Sequence, residues 1–287
     1  MPTALAFIGD STSKEDHGGG MGVIGATMGT GMVLGPGIGG WLGADSLSLP
    51  FYVAGALSLL AGLLIYFILP ESLPAEKRAA KVRLDISYRY KGMWEGLKGP
   101  MALFFLLSFL VSFGLSNMEG ILGLFALEIF SYGPPEVGTI MVVVGTVVAL
   151  VQMVLTGPAT KRFGERNVIK ATLIGLTLTF LLILTAYDFP TLLITIGLFA
   201  FTNAMLRPSI ASLISKETSI DQGLAMGLNS SFMSLGRFIG PLLAGFLFDI
   251  RISLPYMVGS LIMFLGYLFV QLKMKKTTLK DEIGQEA

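Results

Sequence analysis

Long apolar stretches recur along the whole chain, separated by short polar segments, and they do not alternate in the period of two that barrel strands need. A bilayer core about 30 Å thick takes roughly 20 apolar residues per helical crossing. On that measure the spans fall at Gly20–Gly43, Phe51–Leu69, Met101–Phe130, Val137–Gly157, Val168–Ala186, Thr191–Ser215, Gly223–Phe248 and Leu254–Leu272, which makes eight complete helices. The opening MPTALAFIG is apolar but too short to span, and it lacks the positive flank of a signal peptide, so it reads as the tail of one more helix. The predicted class is an all-α integral membrane protein.

Composition agrees: 53% of the 287 residues are hydrophobic and 14% charged, against about 25% charged in a soluble domain. The net charge of +1 gives no pull toward nucleic acid, but the placement of charge is informative. Lys77, Arg78, Lys81, Arg83, Arg89, Lys91 and Lys98 lie between the second and third spans, Lys161, Arg162, Arg166 and Lys170 between the fourth and fifth, and Lys273, Lys275, Lys276 and Lys280 after the last. The intervening loops hold only Arg251. By the positive-inside rule the basic loops and the C-terminus are cytoplasmic, and the assignment alternates without conflict. One histidine, His17, no cysteine and no carboxylate cluster leave no expected metal site, cofactor or catalytic constellation, so the chain is not read as an enzyme.

A shift of 205 positions superimposes part of the sequence on itself. Met21-Gly22 falls on Met226-Gly227, Gly31 on Gly236, Gly35-Pro36 on Gly240-Pro241, and Ser48-Leu49-Pro50 on Ser253-Leu254-Pro255. Parallel repeats of this kind build transporter halves related by an axis along the membrane normal. With a one-residue slip Pro2-Thr3 aligns with Pro208-Ser209, deep in the second copy. Equal halves would then place about one hundred further residues, three helices and most of a fourth, ahead of Pro2. Met1 reads as an internal methionine of a longer frame, the alternative being an eight-helix protein with a short leader.

The run GTGMVLGPGIGGWLG at 29–43 concentrates helix breakers inside a span. Membrane helices approach closely through small residues, and Gly31, Gly35, Gly39 and Gly43 form one stripe four residues apart, with Gly25 and Gly29 beside it. Pro36 can bend the helix. GPGIGG at 35–40 falls in a G-x-G-x-x-G register, but no strand precedes it, so it is not read as a dinucleotide loop.

The segment LGPGIGGWLG, preceded by GATMGTGM and followed by PFY, resembles the antiporter signature in the fifth helix of the drug:proton antiporter branch of the major facilitator superfamily. The likeness is greatest to Gram-positive multidrug efflux pumps and weaker to tetracycline pumps. MPTALAFIGD, LPES, SFGLSNMEG, RPSIASLIS and GLNSSFMSLGRFIGPLLAGFLFD match as well. The resemblance implies a major facilitator fold, from late helix four to helix twelve of twelve. It also assigns antiporter-motif packing to Gly31, Gly35, Pro36, Gly39 and Gly40. Its cytoplasmic G-x-L-A-D-R-x-G-R-K motif has a likeness in GPATKRFGER, carried by Gly157, Arg162 and Gly164, with Lys161 where the acid usually stands. Related pumps can hold an acid three residues before the Arg-Pro pair, where this chain has Ala204.

Ionisable groups at membrane depth read as functional. Glu119 lies beyond the middle of its span, with Ser108, Ser112, Ser116 and Gly123 continuing a small polar face toward and past it, and it is the candidate for proton coupling. Arg207 precedes Pro208 close enough to the cytoplasmic end to snorkel, while Arg237 sits mid-span, facing either an earlier helix or Glu119. Asn117, Met118, Phe113, Asn203 and Gln152 are the candidate cavity residues, with Asn229 a further polar one. The domains expected are 1–69, the remainder of an N-terminal half, a cytoplasmic central loop at 70–100, a C-terminal six-helix half at 101–272, and a cytoplasmic tail at 273–287. The function expected is proton-coupled efflux of amphipathic drugs or dyes by a monomer in the lipid bilayer of the cell membrane, with a small-molecule substrate and protons as its partners. A sugar or metabolite exporter and a non-transporting truncated polypeptide are the alternatives.

Overall fold

The computed structural model describes residue 7 and residues 17–70, 101–217 and 222–285. The opening MPTALAFIG apart from Phe7, the acid of LPES and the basic run at 77–98 lie outside them. The described residues fold as helices: α1 His17–Leu42, α2 Leu49–Ile68, α3 Ala102–Phe130, α4 Pro134–Leu150, a π-turn at Val151–Thr156, α5 Gly157–Phe163, α6 Glu165–Ile183, α7 Phe189–Ala204, α8 Leu206–Glu217, α9 Gln222–Ile250 and α10 Leu254–Gln285.

Among the described residues seven helical segments are long and apolar enough to cross a membrane, not eight. They are α2, α3, α4 through α5, α6, α7 through α8, α9 from Gly223, and α10 as far as Leu272. The missing one is α1. Its 26 residues make a helix of spanning length, but glycine dilutes its hydropathy. The span expected at Thr191–Ser215 is divided at Met205. Pro208 explains the break, because it has no N–H to offer the Ala204 carbonyl and its ring crowds that carbonyl. The expected end of the last helix at Leu272 also moves, since α10 continues to Gln285.

The chain divides into two compact units, Met1–Asp85 with Gly133–Gly145, and Ile86–Tyr132 with Thr146–Ala287. In the first unit α1 meets the start of α4 backbone to backbone. A Cβ on Gly40 would stand 2.5 Å from the Pro134 carbonyl oxygen and 2.6 Å from the Gly138 Cα, and one on Gly145 would stand 3.0 Å from the Val33 Cα. The contact face is therefore Val33, Gly37 and Gly40, with Gly43 against Pro134. The stripe expected from spacing differs: at Gly31, Gly35 and Gly39 an added Cβ meets nothing within 4 Å among the described residues.

In the second unit α3 and α9 pack closely. A Cβ on Gly236 would lie 2.5 Å from the Phe109 carbonyl oxygen, one on Gly240 2.8 Å from that of Phe113, and one on Gly120 3.0 Å from the Pro241 ring. Ser112 and Ser116 are buried in that seam. Gly259 lets α10 settle against the Phe180 ring of α6, and Phe180 meets Phe199 of α7 edge to face at 4.9 Å. Asp188 begins α7 with a capping box: its carboxylate accepts from the Thr191 N–H at 2.9 Å, and the Thr191 hydroxyl accepts from the Asp188 N–H at 3.1 Å. The Thr191 hydroxyl, which donates to the Asp188 carboxylate at 2.5 Å, and after it the Thr191 N–H hold the Asp188 carboxyl below its ordinary range.

Candidate functional site

The break before Pro208 leaves the Ala204 carbonyl without its usual helical donor, and a side chain takes the vacancy. Gln152, on the π-turn, donates its Nε2 to Ala204 O at 3.2 Å. A π-turn inserted in a helix displaces side chains from their α positions and often sits at functional sites. Beside this join lies a cavity of about 240 Å³. Its polar lining comes from Ser108 of α3, Gln152, Arg207 of α8 and Asn229 of α9, and Val111 and Met233 are among its apolar walls. Ser108 donates to the Asn229 side-chain oxygen Oδ1 at 2.5 Å, which ties α3 to α9, and the Asn229 side-chain Nδ2 reaches the Met233 sulfur at 3.7 Å.

Arg207 is the cation of the cavity. Its Nη2 makes one long hydrogen bond, 3.5 Å to the Ser112 hydroxyl, and its Nε is buried without a partner. The side chain is thus turned into the helix cluster instead of snorkelling. Glu119 and Arg237 do not line the cavity. Both are exposed on this unit, so the buried serine face of α3 does not continue to Glu119. Glu119 interacts electrostatically with Arg207 and Arg237, but no ion pair within 4.0 Å joins it to Arg237 among the described residues.

Of the five expected cavity residues only Gln152 lines this space. Met118 and Phe113 are buried in the core. Asn117 is buried too, donating to the Pro255 carbonyl at 2.8 Å and so fastening α3 to the start of α10, while Asn203 is buried near the end of α7. Arg207, expected as an intramembrane charge, and Asn229 complete the polar lining with Ser108, which sequence reasoning had placed on the small-residue face of α3. Met233 carried no signal beyond its position one helical turn after Asn229.

The loop motif is a brace. Gly164 adopts φ +76°, a left-handed conformation that suits glycine, and turns the chain from α5 into α6. Directly after it Glu165 accepts from Ser212 at 3.0 Å and pairs with Lys216, and Arg166 pairs with Glu217 at 2.7 Å. Exposed pairs contribute about 0–1 kcal/mol each, so they set the position of the end of α8 more than its stability. Arg162 stacks over the Phe163 ring at 5.4 Å, Lys161 is exposed, and an added Cβ on Gly157 meets nothing within 4 Å. No group of three metal-ligating side chains occurs among the described residues.

Spanning helices, glycine-seated helix pairs and a cavity at a broken helix fit a membrane transporter. The Major Facilitator Superfamily profile matches residues 1–104 and 104–286, and the chain belongs to that superfamily. Within it the similarity is to multidrug efflux transporters. The chain is 31% identical over 268 residues to multidrug resistance protein 2 of Bacillus subtilis (strain 168), covering 93% of this chain and 67% of the relative. It is 33% identical over 274 residues to multidrug resistance protein 1 of the same strain, with the same coverage. To the quinolone resistance protein NorA of Staphylococcus aureus (strain COL) it is 29% identical over 283 residues, 98% of this chain and 72% of that one. Among solved structures it is similar to the human organic anion transporter MFSD10 (TETRAN), with a TM-score of 0.63 and 26% identity over 93% of this chain and 66% of that one. The chain therefore spans about two thirds of the length of the relatives it matches.

Proposed function

We propose that the chain carries the substrate cavity and proton-coupling side of a drug exporter: a proton-driven antiporter that moves amphipathic drugs or dyes out of the cell by alternating access. The names of the bacterial relatives support the substrate class. The observation that carries the reading is the cavity at the broken helix, where a cation, two amides and a hydroxyl share a space walled by Val111 and Met233. A few polar groups in an apolar concavity orient a ligand, and the flexible Met233 side chain adapts to varied shapes. Glu119 is the proton carrier in this reading, poised in the field of Arg207 and Arg237 without being locked in an ion pair. Residues 101–272 act as the C-terminal half and residues 1–69 as part of the N-terminal one. The distribution of Lys and Arg supports a cytoplasmic C-terminus, and the protein works as a monomer in the lipid of the cell membrane.

The test is efflux of a fluorescent quinolone from loaded bacterial cells expressing the chain, with and without an uncoupler, at equal amounts of membrane-inserted protein. Uncoupler-sensitive efflux is expected, and Glu119→Gln, which still hydrogen-bonds but cannot titrate, should abolish it. Unchanged, uncoupler-sensitive efflux by the Gln variant removes Glu119 as the carrier. No efflux by the unmodified chain refutes transport by this polypeptide.

A further inference from the structure

We propose that the cavity at Arg207 selects ligands carrying a carboxylate, as anions or zwitterions, and that Arg207 holds that carboxylate through its guanidinium fork. The inference rests on reading the cavity as the substrate site. Three observations carry it. Among the described residues Arg207 is the only charged one lining the cavity, and none of them lining it is an acid. The guanidinium is under-used: Nε is buried without a partner and Nη2 has one hydrogen bond at 3.5 Å, so donors of the fork remain to be satisfied by a ligand. The residue three positions earlier, Ala204, is buried at the end of α7 and is not an acid, and its carbonyl is engaged by Gln152.

A buried donor without an acceptor is costly, and a planar carboxylate satisfies two guanidinium N–H groups at once. The cavity volume of about 240 Å³ lies below the ~300–1,000 Å³ of drug-sized sites. It therefore suits the acidic end of a ligand with one or two rings, and Val111 and Met233 supply the apolar wall on which such rings rest.

The test uses the full chain in lipid nanodiscs and a matched probe pair, 1-naphthoate and its methyl ester, measured by equilibrium dialysis and corrected for partition into empty nanodiscs. The acid should bind about tenfold or more tightly than the ester, as a charge-assisted bidentate contact predicts. Arg207→Gln should erase that preference while ester affinity stays. Arg207→Lys, a point charge without the fork, should keep only part of it. Ala204→Asp gives Arg207 an internal acid and should erase the preference with the arginine in place, which covers the case in which Arg207→Gln does not fold. Equal binding of acid and ester by the unmodified chain overturns the inference and leaves the substrate-site reading intact. Retention of the acid preference in Arg207→Gln or Ala204→Asp overturns it equally. Binding of neither probe overturns the substrate-site reading itself.

Discussion

The glycine contact between α1 and α4 is open to a sharp test, because neighbouring glycines on one helix differ in what a methyl group would meet. At Gly40 the new Cβ would sit 2.5 Å from the Pro134 oxygen, 2.6 Å from the Gly138 Cα and 3.0 Å from the Gly138 nitrogen. All three are backbone atoms, which cannot swing aside as a side-chain end can. At Gly39 and Gly35 the same methyl meets nothing within 4 Å among the described residues. Each Gly→Ala change gains about 1 kcal/mol of helix propensity, and that gain cancels when Gly40→Ala is compared with Gly39→Ala. What remains is overpacking, about 1–3 kcal/mol. The assay is the temperature at which half the detergent-solubilised chain leaves the monodisperse peak in size-exclusion chromatography. Gly40→Ala should fall several degrees below Gly39→Ala, at roughly 2–4 °C per kcal/mol. Equal midpoints would refute the contact. Spacing alone would have favoured Gly35 as the sensitive position.

Two further outcomes follow from the geometry. Gln152→Leu keeps the bulk of the side chain but leaves the Ala204 carbonyl without its donor, and should cost about 0.6–1.7 kcal/mol, the range of interhelical hydrogen bonds in membranes, read as a lower midpoint in the same assay. Asp188→Asn preserves the cap but cannot titrate. Because the folded-state carboxyl of Asp188 is held below its ordinary range, its contribution is present above about pH 4 and is lost as pH falls through the lower, folded value. The unmodified chain should therefore lose more stability than Asp188→Asn between pH 6 and pH 3, and parallel curves would contradict the assignment.

The spanning segments were readable because hydropathy integrates over many residues, and for the same reason the break before Pro208 was not, since the expected span Thr191–Ser215 runs straight across it. Side-chain direction was less readable. Gly31, Gly35 and Gly39 share their spacing with other glycines of α1, and only the partner helix decides which glycine is covered. Asn117, Met118 and Phe113 lie on α3 within two turns of Glu119, yet they turn to the core and to Pro255 while Ser108, earlier on the same helix, reaches the cavity. Arg207 was visible as a costly intramembrane charge, but its unpaired Nε depends on Ser112 and on the position of its own helix. The residues VQMVLT carry no composition that separates a π-turn from ordinary helix.

That π-turn makes the length of its helix as consequential as its hydrophobicity. One extra residue per turn rotates everything on one side of Val151–Thr156 by about 100° relative to the other. Within it Gln152 points to Ala204 and the Thr156 hydroxyl donates to the Val151 carbonyl at 3.1 Å. Deleting a single residue from this stretch would leave an apolar span that any hydropathy measure accepts, yet it would turn one set of contacts away from its partner. The angular offset is a property that substitutions preserve and single-residue insertions or deletions destroy.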